Sequence, residues 1–185
     1  RLAVLLQGAF SMNRFAPDDQ RSWEGAPLRD FQLLPNTRFV LTASQADKAT
    51  GGRLGPDWWT QMTGSMQSYQ QACHAGAERD AASSWHGQAF HCLTASDNSG
   101  REQPLSGSAP WSGFRLCDNE NNQSCQGMGG RWVFADRRVL YVDASQGVIH
   151  YNSLGSGGNG HSDIYRISTG RLLWTLIDAL APAPR

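Results

Sequence analysis

Three consecutive side chains, His161, Ser162 and Asp163, are of the types that make a base, a nucleophile and an orienting carboxylate. In an extended strand successive side chains alternate faces, so His161 and Asp163 share a side while Ser162 points away. A triad needs convergence, which adjacency in the chain does not supply. The run therefore reads as a polar strand edge after a turn; His161 with Asp163 becomes half of a site only if a nucleophile arrives from elsewhere. Just upstream, residues 155–160 (GSGGNG) have the glycine content of an anion-binding nest. They lack the lysine and hydroxyl of a phosphate loop and precede a strand-like run, not a helix, so a flexible hairpin loop is the simpler reading. Asp118, Glu120 and Asn122 alternate oxygen donors like the front of a calcium loop. Gln123 stands where an EF-hand needs glycine and Gly129 where it needs glutamate, which leaves a solvated loop or, as the alternative, an irregular calcium site.

The histidines His74, His86, His91, His150 and His161 are scattered, and no pair has the helical zinc-protease spacing. His91 and His150 fall on strand-like runs and can meet across a sheet, either as a satisfied structural pair or as a catalytic or metal pair. No metal site and no cofactor are assigned. Of the seven tryptophans, Trp23, Trp85 and Trp111 lie in loops or near segment ends, where an indole can stack on a sugar ring or anchor a partner. Trp58, Trp59, Trp132 and Trp174 are read as core blocks.

Cys73, Cys92, Cys117 and Cys125 form an even set with 18, 24 and 7 residues between them. Structural zinc favours ligand pairs two to four residues apart, so disulfides fit better than a metal or free thiols. Four cysteines allow three connectivities. The nearest-neighbour one, Cys73 with Cys92 and Cys117 with Cys125, is preferred because residues 118–124 are a polar loop whose ends a bridge would close. Disulfides belong to oxidising compartments, and the Ser, Gly, Gln, Asn and Trp content suits an exported chain.

The elements that must position these residues follow from period and punctuation. In residues 1–14, Leu2, Leu5, Leu6 and Ala9 recur at helical spacing, which predicts a helix ended by Pro17, Asp18 and Asp19. Residues 37–43 (TRFVLTA) read as a strand. A second helix is expected from Pro56, with Trp58, Trp59, Met62, Met66, Tyr69 and Cys73 as its stripe and Gly76 as its stop. Residues 88–94 read as a strand that the Cys73–Cys92 bridge would tie to that helix, and residues 95–112 as a long loop. From residue 113 onward, short runs at 113–117, 131–135, 138–143, 148–153, 163–168 and 171–177 alternate with turn signals, among them Thr169-Gly170. Such spacing predicts an antiparallel β-meander. No internal repeat is present, and residues 181–185 (APAPR) read as a disordered tail.

The 185 residues suit a single globular domain, residues 1–185, large enough to bury a core that disulfides supplement. Sixteen basic and sixteen acidic side chains balance with no run of one sign, which removes the usual case for nucleic acid. Fifteen of the sixteen basic residues are arginine, Lys48 being the lysine. No apolar run approaches the roughly 20 residues of a membrane span. The opening at Arg1 reads like the middle of a helix, with something upstream processed or removed.

Four segments then stand together: Phe114-Arg115-Leu116-Cys117, Ser124-Cys125, the run Gly130-Arg131-Trp132-Val133-Phe134-Ala135-Asp136, and Val139-Leu140-Tyr141-Val142. This order resembles the C-terminal β-region of minor type IV pilins and of the H-type minor pseudopilins of type II secretion. Residues 1–14 are similar to the amphipathic half of the pilin N-terminal helix. The resemblance implies an N-terminal helix packed on an antiparallel meander; with the second helix and the two disulfides read from the residues above, which the family's pattern lacks in the interval before the Leu-Cys strand, the expected fold is α+β. It also implies a non-catalytic structural subunit of a bacterial envelope filament, partnered by other pilin or pseudopilin subunits and touching the membrane only through a helix preceding Arg1. The alternatives are an extracytoplasmic module binding carbohydrate or protein, and a secreted hydrolase.

Overall fold

A computed structural model describes residues 2–6, 8, 10–15, 28, 37–45, 47, 50, 62–73, 89–96, 115–119, 125–126, 138–145 and 167–180. Its elements are β1 (Leu2–Leu5), a 3-10 turn (Met12–Phe15), β2 (Arg38–Ala43), α1 (Met66–Cys73), β3 (Phe90–Ser96), β4 (Arg115–Asp118), the two-residue β5 (Cys125–Gln126), β6 (Val139–Asp143) and α2 (Ile167–Leu180). The strands form one mixed sheet in the order β1-β2-β6-β3-β4-β5. The chain is thus α+β with two disulfides.

The central strands read FHCLTAS, RFVLTA and VLYVD, near-continuous apolar runs, because both of their faces are covered. β1 pairs parallel with β2, β2 parallel with β6, and β6 parallel with β3. Among the described strand pairs, β3 with β4 and β4 with β5 are antiparallel. On one face Leu41, Phe90, Cys92, Val139 and Tyr141 meet Tyr69 and Ala72 of α1, together with Met12 and Phe15 of the 3-10 turn. On the other, Val40, Leu93, Leu116, Leu140 and Val142 meet Leu172, Leu176 and Ala179 of α2. Ser65 starts α1: its Oγ accepts from the Ser68 backbone N–H at 3.0 Å, satisfying one of the free donors of the first turn. Gly8 lets the chain lie against residues 62–64, since a β-carbon there would collide with Phe10 and Thr63 Oγ1.

Several expectations are corrected. Residues 2–5 are a strand, not the end of an N-terminal helix: the run LAVL pairs with residues 38–41 in parallel register. A short continuous apolar run matches the helical template and the strand template equally, and here the neighbouring strand decides. Leu2, Leu5 and Leu6 are half-buried, as befits an edge, while Ala9 lies outside the described residues. The second helix starts at Met66, not near Pro56; Met62 instead forms an isolated antiparallel bridge with Ser11. Residues 171–177 belong to helix α2, and Thr169-Gly170 lies inside it and makes no turn. Within residues 131–177 the described strand is β6, and both of its neighbours run parallel to it, so the predicted antiparallel meander does not run through β6. The expected strands at 131–135 and 148–153, the Pro56 and Gly76 boundaries, nearly all of the 95–112 loop and the 181–185 tail lie outside the described residues.

Candidate functional site

The four cysteines pair as nearest neighbours. Cys73, the last residue of α1, is bonded to Cys92 in the middle of β3, with Cα atoms 5.7 Å apart. Cys117 of β4 is bonded to Cys125 of β5, with Cα atoms 4.0 Å apart. Two such bonds fit an oxidising, extracytoplasmic environment. Trp23, Trp85 and Trp111, the tryptophans singled out for binding, lie outside the described residues, as do His161, Ser162, Asp163, His150 and residues 155–160. No described helix is long and apolar enough to cross a membrane. Among the described residues no group of three or more His, Cys, Asp or Glu side chains is placed to hold a metal ion.

His91 does meet a carboxylate, though not the partner the sequence offered. Its Nε2 lies 3.1 Å from Asp118 Oδ2, both side chains being 3% exposed. Asp118 is therefore a buried carboxylate in contact with His91 and not the first ligand of a solvated loop. On the other side of the ring, Arg138 Nη2 lies 2.8 Å from His91 Nδ1, while Arg138 Nη1 donates to the Phe90 carbonyl at 3.2 Å. A guanidinium only donates, so Nδ1 must accept and the ring proton sits on Nε2, facing Asp118. The Nε2 contact has ion-pair distance with imperfect hydrogen-bond alignment. A general base needs a lone pair presented to a substrate. Here the accepting nitrogen is taken by Arg138 and both members of the dyad are buried, so the contacts tie β3, β4 and the start of β6 together.

The carboxyl ends of the parallel strands lie along one edge. The chain leaving β2 goes to α1 on one face and the chain leaving β6 goes to α2 on the other, so the two diverge between adjacent strands, where open sheets of this kind place their ligands. That edge is polar. Asp143 Oδ1 accepts from the Ser145 N–H at 2.8 Å, and Ser145 Oγ accepts from the Gln45 N–H at 2.8 Å. Beside it the Tyr69 hydroxyl donates to the Leu93 carbonyl at 2.8 Å and accepts from Asn119 Nδ2 at 2.8 Å, and Asn119 also bonds Thr94 Oγ1. Burial, reinforced by the Asp143 charge, pushes the Tyr69 phenol well above its ordinary pKa, against the lowering effect of its contacts with Thr94 and Asn119. The first set ties the end of β6 to the end of β2, and the second ties α1 to β3 and to the residue after β4.

The outward face of α2 is of a different kind. Trp174 is 54% exposed and Ile177 43%, the exposed large apolar side chains among the described residues. Trp174 is therefore a surface residue, which corrects its reading as a core block. The 3.6-residue turn explains it: Leu172, Leu176 and Ala179 recur at four and three residues and take the sheet side, so Trp174 and Ile177 must face away. Gly170 lies on the same outward face with open space around the position of a β-carbon. The signal was present in the sequence, but reading residues 171–177 as a strand assigned the alternating apolar positions to the wrong faces.

Comparison with protein-family models, with curated proteins and with solved structures finds no match for this chain.

Proposed function

We propose that this chain is a non-catalytic, extracytoplasmic domain that works by protein–protein contact, and that the outward face of α2 is its contact surface. The observation that carries the reading is the pair Trp174 and Ile177, one turn apart and about half exposed, on a helix whose opposite face is already packed on the sheet. Tryptophan anchors are the side chains on which protein interfaces most often depend, and an exposed apolar patch costs solubility unless something covers it. The enclosed His91–Asp118 contact supports the non-catalytic part. The disulfides support the location. Membership of an envelope filament is the narrower form of the same proposal and rests on the short sequence motifs at 114–117, 124–125, 130–136 and 139–142 alone, since residues 2–5 are a strand and β6 runs parallel to both of its neighbours. Of these, residues 114, 124 and 130–136 lie outside the described residues.

The test is a photo-crosslinking amino acid placed at position 174 of the full chain, exported in a bacterial host, with Gln67 on the exposed side of α1 as the control position. Covalent adducts to a protein, formed from position 174 and absent from position 67, are expected. Equal yields from the two positions overturn the proposal.

A further inference from the structure

We propose that the partner of α2 is the α2 of a second copy of this chain, packed antiparallel about a two-fold axis near Trp174. The inference rests on the contact reading above and adds the identity of the partner.

The argument is the distribution of charge about the apolar stripe. At about 3.6 residues per turn, Gly170, Arg171, Trp174, Ile177 and Asp178 fall on one outward third of the helix. Gly170, Trp174, Ile177 and Asp178 are exposed and Arg171 is half-buried. Arg171 and Asp178 lie on the same flank of Trp174, one towards each end; Gly170 and Ile177 lie on the other flank. A two-fold axis perpendicular to the helix reverses its direction and keeps each flank on its own side. Arg171 of each copy is then level with Asp178 of the other, making two opposite-charge contacts per dimer. A parallel pairing about an axis along the helices carries each flank to the opposite side, so Arg171 and Asp178 would face the uncharged Gly170–Ile177 flank and make no opposite-charge contact, and the sequence favours the antiparallel arrangement. On the opposite flank, Ile177 of each copy comes level with the gap between Gly170 and Trp174 of the other, where the missing β-carbon of Gly170 leaves space. The patch is self-complementary in charge and in shape, as a two-fold interface requires.

Size sets the affinity. A 14-residue helix is about 21 Å long, and one face of it covers less than the roughly 800 Å² per partner of a stable interface. Association is expected to be weak, with a dissociation constant on the order of 10 to 100 µM.

The experiment is sedimentation of the oxidised full chain over a concentration series extending well above that range. The wild-type chain is expected to pass from monomer to dimer. Arg171→Glu and Asp178→Arg are each expected to weaken the dimer about tenfold, since each turns both charge contacts repulsive. Mixing the two variants in equal amounts should restore association to at least the wild-type level, because every contact in the mixed dimer is again attractive. Trp174→Ala should abolish dimerisation and leave the circular dichroism unchanged, its side chain being 54% exposed. A chain that stays monomeric throughout, or a mixture no tighter than either variant alone, overturns the proposal. Should a charge variant not fold, the wild-type background with the photo-crosslinker at position 174 decides. Capture of α2 of a second copy supports the pairing, and capture of any other surface overturns it. A monomeric chain whose position 174 still crosslinks to a different protein overturns self-association and leaves the contact reading standing.

Discussion

Asp118 ends β4 with its carboxylate 3.1 Å from His91 Nε2, and Arg138 closes the other side of the ring. The three groups are useful to the fold only together. Removing the carboxylate takes away the buried contact at His91 Nε2, and losing one partner of a buried polar contact costs about 1 to 3 kcal/mol. Asp118→Ala should lose stability of that order in urea denaturation. A change below about 1 kcal/mol would show the pair to be solvated. His91 illustrates why residue roles were only partly legible: the sequence marked it as strand-borne and able to pair across a sheet. Its partner is an aspartate 27 positions away, brought opposite by the antiparallel register Leu93 with Asp118. Trp174 illustrates the same point from the surface. Its type favours a core or an interface equally, and only the direction of α2 separates the two.

At the scale of elements, the bond between Cys73 and Cys92 fastens α1 to the middle of the sheet, whereas the bond between Cys117 and Cys125 fastens a two-residue strand at its rim. Chain-entropy arithmetic gives roughly 3 kcal/mol for a separation of 19 residues and roughly 2.5 kcal/mol for a separation of 8. The position in the core widens that gap: Cys92 is 3% exposed, while Cys125 is exposed. Replacing Cys73 and Cys92 together by serine should therefore destabilise the chain more than replacing Cys117 and Cys125, as read by the urea midpoints of the two double variants. The reverse order would place the main tie at the sheet rim. The strands β2, β3, β4 and β6 were legible to within two residues, because their β-branched and aromatic content and their length suit nothing else. β1 and α2 were not. LAVL is a continuous apolar run with no period by which to tell 3.6 residues from 2, and the apolar positions of RLLWTLI fit strand alternation as well as a helical stripe.

For the whole molecule, the two faces of the sheet differ in kind. One carries an aromatic layer in which Tyr69 and Tyr141 meet edge to face with centroids 5.2 Å apart, and the other is aliphatic and sealed by α2. Burial pushes the Tyr141 phenol well above its ordinary range, with the neighbouring Tyr69 adding to the effect, and burial does the same to Tyr69. Both side chains keep their protons in the folded chain at a pH where the unfolded chain releases them. Their contribution to stability is thus complete below about pH 10, the unfolded phenol value, and is lost as pH rises through the raised folded values. The urea midpoint should stay flat from neutrality to about pH 9.5 and fall above it, with the phenolate absorbance of these two tyrosines appearing together with unfolding. Ionisation of all four tyrosines near pH 10 with the native circular dichroism retained would contradict that. The sequence by itself determined what depends on composition and local chemistry: an α+β chain, four strands, the helical turn through Tyr69 and Cys73, an even set of cysteines and a balanced charge. Tertiary structure decided the rest. Strand direction, the conversion of residues 2–5 to an edge strand and of residues 171–177 to a helix, and the exposure of Trp174 depend on which distant segment lies alongside. An apolar run takes whichever conformation lets its neighbours bury it.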